Sequence, residues 1–156
     1  MSGADQTSGA TGAVIHRGIA PTEGAAVEGP AALAAWFEAR FAANGWTGAW
    51  RNGVFDWQHY HATTHEVLGC YAGSARIQLG GADGPVHEIA TGDVVIIPAG
   101  VAHCNRGASA DFAVVGAYPE GARPDMKTGD GAVVTGVARP PRDPVLGAGR
   151  GFARDA

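Results

Sequence analysis

Seven turn signals break the middle of this chain at short intervals: Gly45, Asn52-Gly53, Gly73-Ser74, Gly80-Gly81, Asp83-Gly84-Pro85, Gly92-Asp93 and Pro98-Ala99-Gly100. Between them lie short runs of Val, Ile, Phe and Tyr. Such punctuation excludes long helices and predicts strands over 54–60, 65–72, 75–79, 86–90, 93–97, 102–105, 111–118 and 132–138. Closely spaced short strands with hairpin-like turns point to an all-β antiparallel barrel or sandwich, most simply a double-sheet jelly roll. Composition agrees: 25 Gly and 9 Pro among 156 residues supply the turns, while 46% hydrophobic and only 17% charged residues exclude general disorder. The length suits one domain.

One segment breaks the β pattern. Pro30 opens it and Asn44-Gly45 closes it, a helix start and stop, with Leu33, Trp36, Phe37 and Phe41 spaced to share one face. This is one N-terminal amphipathic helix, whose exposed aromatic share could be covered in a homodimer. All aromatic residues but Phe152 fall between Trp36 and Tyr118, which places the core. Residues 1–29 (Gly, Ala, Ser, Thr) read as a flexible N-terminal arm, 30–138 as the helix and barrel, and 139–156 as a Pro, Gly and Arg-rich tail. A net charge of −4 with scattered basic residues argues against a nucleic-acid partner. Cys70 and Cys104 show no CxxC spacing, and the first residues lack a cationic or apolar leader, so a cytoplasmic location is expected. The longest apolar stretch covers 94–102 and contains Pro98 and Gly100, so no membrane span is predicted.

The histidines carry the chemistry. His59, His61, His65 and His103 lie in two islands, HYHATTHEVLGCYAG and GDVVIIPAGVAHCN. Side chains alternate along a strand, so His59 and His61 face one way, on the parity of Phe55 and Trp57. Glu66 follows the polar turn Ala62-Thr63-Thr64 and begins the returning strand. Facing Cβ atoms on neighbouring strands are about 4.5–5.5 Å apart, so two imidazoles and one carboxylate can converge on one ion, with His103 arriving from a distant strand as a fourth ligand. An isolated buried histidine is more often a satisfied core residue than a ligand. Several imidazoles buried beside a carboxylate, however, need a cation or extensive hydrogen bonding to offset desolvation.

These residues resemble the cupins. The first cupin motif runs Gly, five residues, His-x-His, three or four residues, Glu, six residues, Gly, and is met by Gly53, His59, His61, Glu66 and Gly73. The second runs Gly, five residues, Pro-x-Gly, two residues, His, three residues, Asn, and is met by Gly92, Pro98, Gly100 and His103. Its last position is Gly107 here, with Asn at 105 instead. HYHATTHEVLG, VVGAYP and DPVLG look like a set of small single-domain bacterial cupins, a likeness covering roughly 33–147. The resemblance implies a double-stranded β-helix, or jelly-roll cupin barrel, behind one N-terminal helix, with His59, His61, Glu66 and His103 as metal ligands.

Three imidazoles and a carboxylate suit one divalent transition metal ion, Fe, Mn, Ni, Zn or Cu, and affinity order does not choose among them. Octahedral geometry would leave two positions for water, dioxygen or a small-molecule substrate. The expected function is therefore a metal-dependent enzyme on a small organic molecule, with dioxygenase-type oxidation ahead of isomerisation or decarboxylation. The alternative is a non-catalytic binding or sensing cupin. Catalytic groups beyond the ligands are not identified. His65 has the opposite parity to Glu66 and should point away, although a bulge would let it replace Glu66. Cys104 reads as packing and Cys70 as core with a possible cavity face. Asn105 could orient a ligand, and Arg76 and Gln78 should face water while Ala75, Ile77 and Leu79 face inward.

Overall fold

A computed structural model describes the backbone of residues 5–8 together with residues 11–21, 24 and 28–154. In chain order the elements are β1 (Asp5–Ser8), β2 (Ala13–His16), α1 (Pro30–Ala43), β3 (Trp46–Asn52), β4 (His59–Tyr60), β5 (Glu66–Ala72), β6 (Ser74–Leu79), β7 (Val86–Ala90), β8 (Val94–Ile97), β9 (His103–Ala108), β10 (Ala113–Pro119), β11 (Lys127–Thr128), β12 (Arg142–Asp143) and β13 (Gly147–Ala148), before a short 3-10 helix at Gly151–Ala153. Two large sheets dominate. A six-stranded sheet has the order β1-β2-β8-β5-β10-β3, and a five-stranded sheet has the order β11-β4-β9-β6-β7. Each strand pairing within them is antiparallel. This is the mostly β, jelly-roll type of architecture expected, with one α-helix.

Side-chain alternation divides the interior into two apolar layers. Ile15, Leu68, Cys70, Val95, Ile97 and Val114 point from the six-stranded sheet toward Ala75, Ile77, Leu79 and Ile89 of the other. Their strand neighbours Val14, Val67, Val94, Ile96 and Val115 point outward, under α1 and the C-terminal segment. A sheet covered on both faces wants continuous rather than alternating hydrophobic runs, which explains the VVII of β8, buried at every position. The helix docks through Leu33, Ala34, Phe37 and Phe41. Gly69 on β5 permits this approach, because a Cβ there would lie 2.8 Å from the Phe37 ring and 2.9 Å from Phe41. Truncating Phe37, fully buried, would cost about 3–5 kcal/mol.

Four expectations need correction. The strand over 54–60 does not run through: β3 ends at Asn52, whose Oδ1 accepts from Gly53 N, and only residues 59–60 pair again. Phe55 and Trp57 stack on each other at 4.3 Å and stay half-exposed instead of entering the core. No strand forms over 132–138, where Val133 is 97% exposed. Gln78 is buried, because its amide donates to Ala82 O and Gly84 O and its carbonyl accepts from Gln58 and Arg106, tying the following turn to the sheet. A buried amide with every group paired is tolerated where parity alone would expel it. Arg76 is exposed as expected.

The described parts of the two ends are not the arms their composition suggests. β2 pairs with β8 and is buried throughout. Phe152 is fully buried, edge-on to Trp46 at 6.0 Å. Asp143 joins the ends: its Oδ2 accepts from His16 Nε2 and Phe152 N, and its Oδ1 from Val145 N and Leu146 N. Few but well-placed apolar residues and one saturated carboxylate are enough to dock segments otherwise made of Gly, Pro and Arg. Among the described residues, no helix is long and apolar enough to cross a membrane.

Candidate metal centre

β4 sits between β11 and β9, with His59 directly opposite His103 in the register. β5 brings Glu66 to the inner face of the facing sheet, on the parity of Leu68 and Cys70. His61 follows β4 in the turn that leads to β5. His61, Glu66 and His103 each offer one ligand atom within 4.8 Å of the others, and all three are buried. His61 Nε2 lies 3.3 Å and His103 Nε2 3.2 Å from Glu66 Oε1. This His/Glu/His triad can hold a metal ion. His59 is buried in the same cavity, its ring 4.1 Å from that of His103 and 6.2 Å from that of His61, but it lies outside that tight grouping.

Proton accounting decides what these atoms can hold. The Nδ1–H of His59 donates to Trp57 O at 2.9 Å, that of His61 to Asp125 O at 2.5 Å, and that of His103 to Val101 O at 3.4 Å. Each neutral imidazole therefore turns an Nε2 lone pair toward the cavity. Backbone anchoring of the far ring nitrogen is also what fixes a ligating histidine in place. Lone pairs converging on a carboxylate oxygen repel unless a cation or an extra proton lies among them, and mixed nitrogen and oxygen donors suit a transition ion.

The electrostatics are strongly coupled. Burial alone would push Glu66 up, but with a proton rather than a metal ion among these atoms His103 and His61 hydrogen-bond to it, outweigh burial and hold the carboxyl at about 2. For His61 burial opposes charging, and the contact with Glu66 still raises it. His59 has no such contact; burial and then the neighbouring His103 lower it to about 4.

Two further side chains, Tyr118 and Trp50, not singled out from the sequence, steady Glu66. Its Oε2 accepts from Tyr118 Oη at 2.8 Å, and Tyr118 Oη accepts from Trp50 Nε1 at 2.8 Å. Burial and then the Glu66 charge push the Tyr118 hydroxyl up, so it stays protonated as a donor. Gly116 makes the arrangement possible, since a Cβ there would sit 2.2 Å from the Trp50 ring. Asp125 was missed too. Its carboxylate accepts from Ala62 N, Thr63 N and Thr63 Oγ1, clamping the turn between His61 and Glu66, while its carbonyl orients His61. Parity along β10 could have flagged Tyr118; nothing periodic marks the loop that carries Asp125.

The remaining candidates lie elsewhere. His65 Nδ1 accepts from Ala99 N at 2.9 Å and its Nε2–H donates to Ala138 O at 3.1 Å, so both ring nitrogens are engaged away from Glu66. Asn105 accepts from Gly107 N and is not among the residues that line the cavity. Cys70 and Cys104 are buried free thiols. Burial pushes Cys70 up to about 12, and its Sγ–H donates to Ala72 O. Above the triad opens a cavity of about 410 Å³, walled by Trp50, Val54, Phe55, Leu68, Pro124 and Met126.

No family model matches the sequence. The "Uncharacterized protein YjlB" of Bacillus subtilis (strain 168) is 44% identical over 111 residues, which cover 67% of this chain and 67% of that protein. Among solved structures, the 11S allergen from Cocos nucifera is similar with a TM-score of 0.43 and 23% identity, over 51% of this chain and 24% of that one. Acireductone dioxygenase from Bacillus anthracis, with cadmium in its active centre, has a TM-score of 0.43 and 17% identity, over 61% of this chain and 65% of that one. Bacillus subtilis oxalate decarboxylase, with Mn(II) centres, has a TM-score of 0.38 and 21% identity, over 51% of this chain and 22% of that one. The chain spans less than two thirds of each of these three structures.

Proposed function

The chain belongs to one family with the uncharacterized protein YjlB of Bacillus subtilis, and from that premise we propose a metal-dependent enzyme of the cupin type in which His59, His61, Glu66 and His103 hold one divalent transition ion beside a small organic substrate. The observation that carries this reading is the set of Nε2 lone pairs and the Glu66 oxygen turned inward together, with each Nδ1 committed to a backbone carbonyl. Oxidation by dioxygen ranks ahead of isomerisation or decarboxylation, and the metal is Fe, Mn, Ni, Zn or Cu. When bound, such an ion supplies Lewis-acid polarisation and, where redox-active, one-electron chemistry. The protein's own part is positional. Tyr118 holds Glu66 Oε2 so that Oε1 faces the imidazoles, Asp125 keeps the His61 ring turned inward, and Leu68 adds an apolar side chain to the cavity wall.

Elemental analysis of untagged protein purified without chelators tests the reading. About one transition ion per chain is expected in the wild type and loss of it in His61→Ala and His103→Ala, with oxygen uptake or product formation lost in parallel. Wild-type protein without stoichiometric metal under these conditions would overturn it.

A second reading, a non-catalytic binding or sensing cupin, is favoured by one observation: the Tyr118 hydroxyl nearest the triad is already committed to Glu66. Metal removal that lowers the melting temperature, with no turnover on any substrate, selects it. Homodimerisation and a cytoplasmic location complete the proposal, to be checked by sedimentation and by cell fractionation.

A further inference from the structure

We infer that the cavity above the triad selects a small planar aromatic molecule, neutral or singly charged, which presents oxygen donors to the histidines and lays its ring against Phe55. The inference deepens the proposed metal-enzyme reading and rests on it for the orientation of the ligand, but its evidence is separate. It lies in the wall of the cavity, not in the triad.

Three observations carry it. First, the rim is aromatic and held rigid: Phe55 lines the cavity, stacks on Trp57 at 4.3 Å with an interplanar angle of 14°, and meets the His59 ring edge-on at 5.2 Å. Phe55 is 46% and Met126 54% exposed, an apolar patch at the mouth of a concave site, which is where a ligand would remove it from water. Second, charge is scarce. Among the described residues lining the cavity Arg51 is the one Lys or Arg side chain, and its guanidinium is already held by Glu38 at 2.9 and 2.7 Å. Apart from the bound ion itself, the second charge of a dianion or a phosphate ester would find no free Lys or Arg in the wall. Third, at about 410 Å³ the cavity falls toward the lower end of the roughly 300–1,000 Å³ usual for small organic ligands.

Calorimetric titration tests this with three probes, catechol, oxalate and glycerol 2-phosphate, on metal-free and Mn2+-loaded protein. Catechol should bind the loaded protein at least tenfold more tightly than either anion. Phe55→Ala should weaken catechol about five- to tenfold, in keeping with the worth of one aromatic contact, while Mn2+ affinity stays unchanged. Phe55→Trp, which keeps an aromatic face, should restore most of the loss. Preference for oxalate or the phosphate ester would overturn the inference, as would catechol binding that ignores Phe55. A Phe55→Ala protein that sediments differently but binds catechol normally would also overturn it, by assigning the patch to self-association. The two readings fail separately. Mn2+ uptake at the histidines without catechol binding sinks the aromatic inference alone. Phe55-dependent catechol binding in a protein that takes up no transition ion supports the aromatic inference and sinks the metal reading.

Discussion

Two buried histidine–carboxylate clusters lie in this molecule, and their difference teaches more than either alone. At His16–Asp143, both side chains fully buried, every carboxylate lone pair meets a proton: two backbone N–H groups on Oδ1, a third on Oδ2, and the His16 Nε2–H at 2.9 Å. On the carboxylate side the cluster is closed. At Glu66 the Tyr118 hydroxyl satisfies Oε2, but Oε1 faces two ring nitrogens whose partner nitrogens have already donated to carbonyls. That cluster borders open space. Burial and residue type are shared, so neither singles out the candidate metal site; the count of available protons does.

The strongest way to break the comparison is to remove one carboxylate at a time. Asp143→Ala should destabilise the protein by about 3–5 kcal/mol, because it strands His16 and three backbone N–H groups in the interior, yet leave metal stoichiometry unchanged. Chemical denaturation and elemental analysis of the same preparation check both halves. His61→Ala should do the reverse, lowering metal affinity by at least about a hundredfold on chelator competition, with a modest change in the stability of the metal-free protein. If Asp143→Ala also lost metal, the clusters would not be independent.

Smaller effects sharpen the contrast. Tyr118→Phe keeps the ring but frees Glu66 Oε2, and metal affinity should fall about tenfold without loss of fold. Acid should reveal the closed cluster. Burial opposes ionisation of Asp143, but the His16 contact and backbone donors hold it below its ordinary 3.8. A carboxyl depressed in the folded state contributes stability that is present above its unfolded value and lost as pH falls through the folded value. Denaturation of metal-free protein between about pH 5 and pH 3 should therefore show falling stability, with a shallower slope in Asp143→Asn. An unchanged slope would detach Asp143 from the acid response.

What the sequence made legible was local. Pro30 and Asn44-Gly45 bound the helix because they act on the backbone beside them, and the helix ends at Ala43. The runs EVLGCYA and VVII announced β5 and β8 because each strand's burial is written in its own residues. Fixed spacing also brought His61, Glu66 and His103 into view as one group. The parts that escaped depend on pairings between distant segments. Tyr118 meets Glu66 only because β10 lies beside β5 in one register, and Trp50 meets Tyr118 only because β3 lies on the other side. Phe55 and Trp57 share the parity of His59, but that says nothing once the strand breaks between them and they stack on each other. Gln78 defeated parity in the same way, through partners in a turn and on β9.

The bond between His16 and Asp143 spans 127 positions of the chain. On the ribosome, then, the second strand must wait, its imidazole without the carboxylate that receives it, until residue 143 has emerged. A nascent chain stopped before residue 143 would lack Val145 and Phe152 and leave that part of the sheet's outer face open to chaperones or to neighbouring chains.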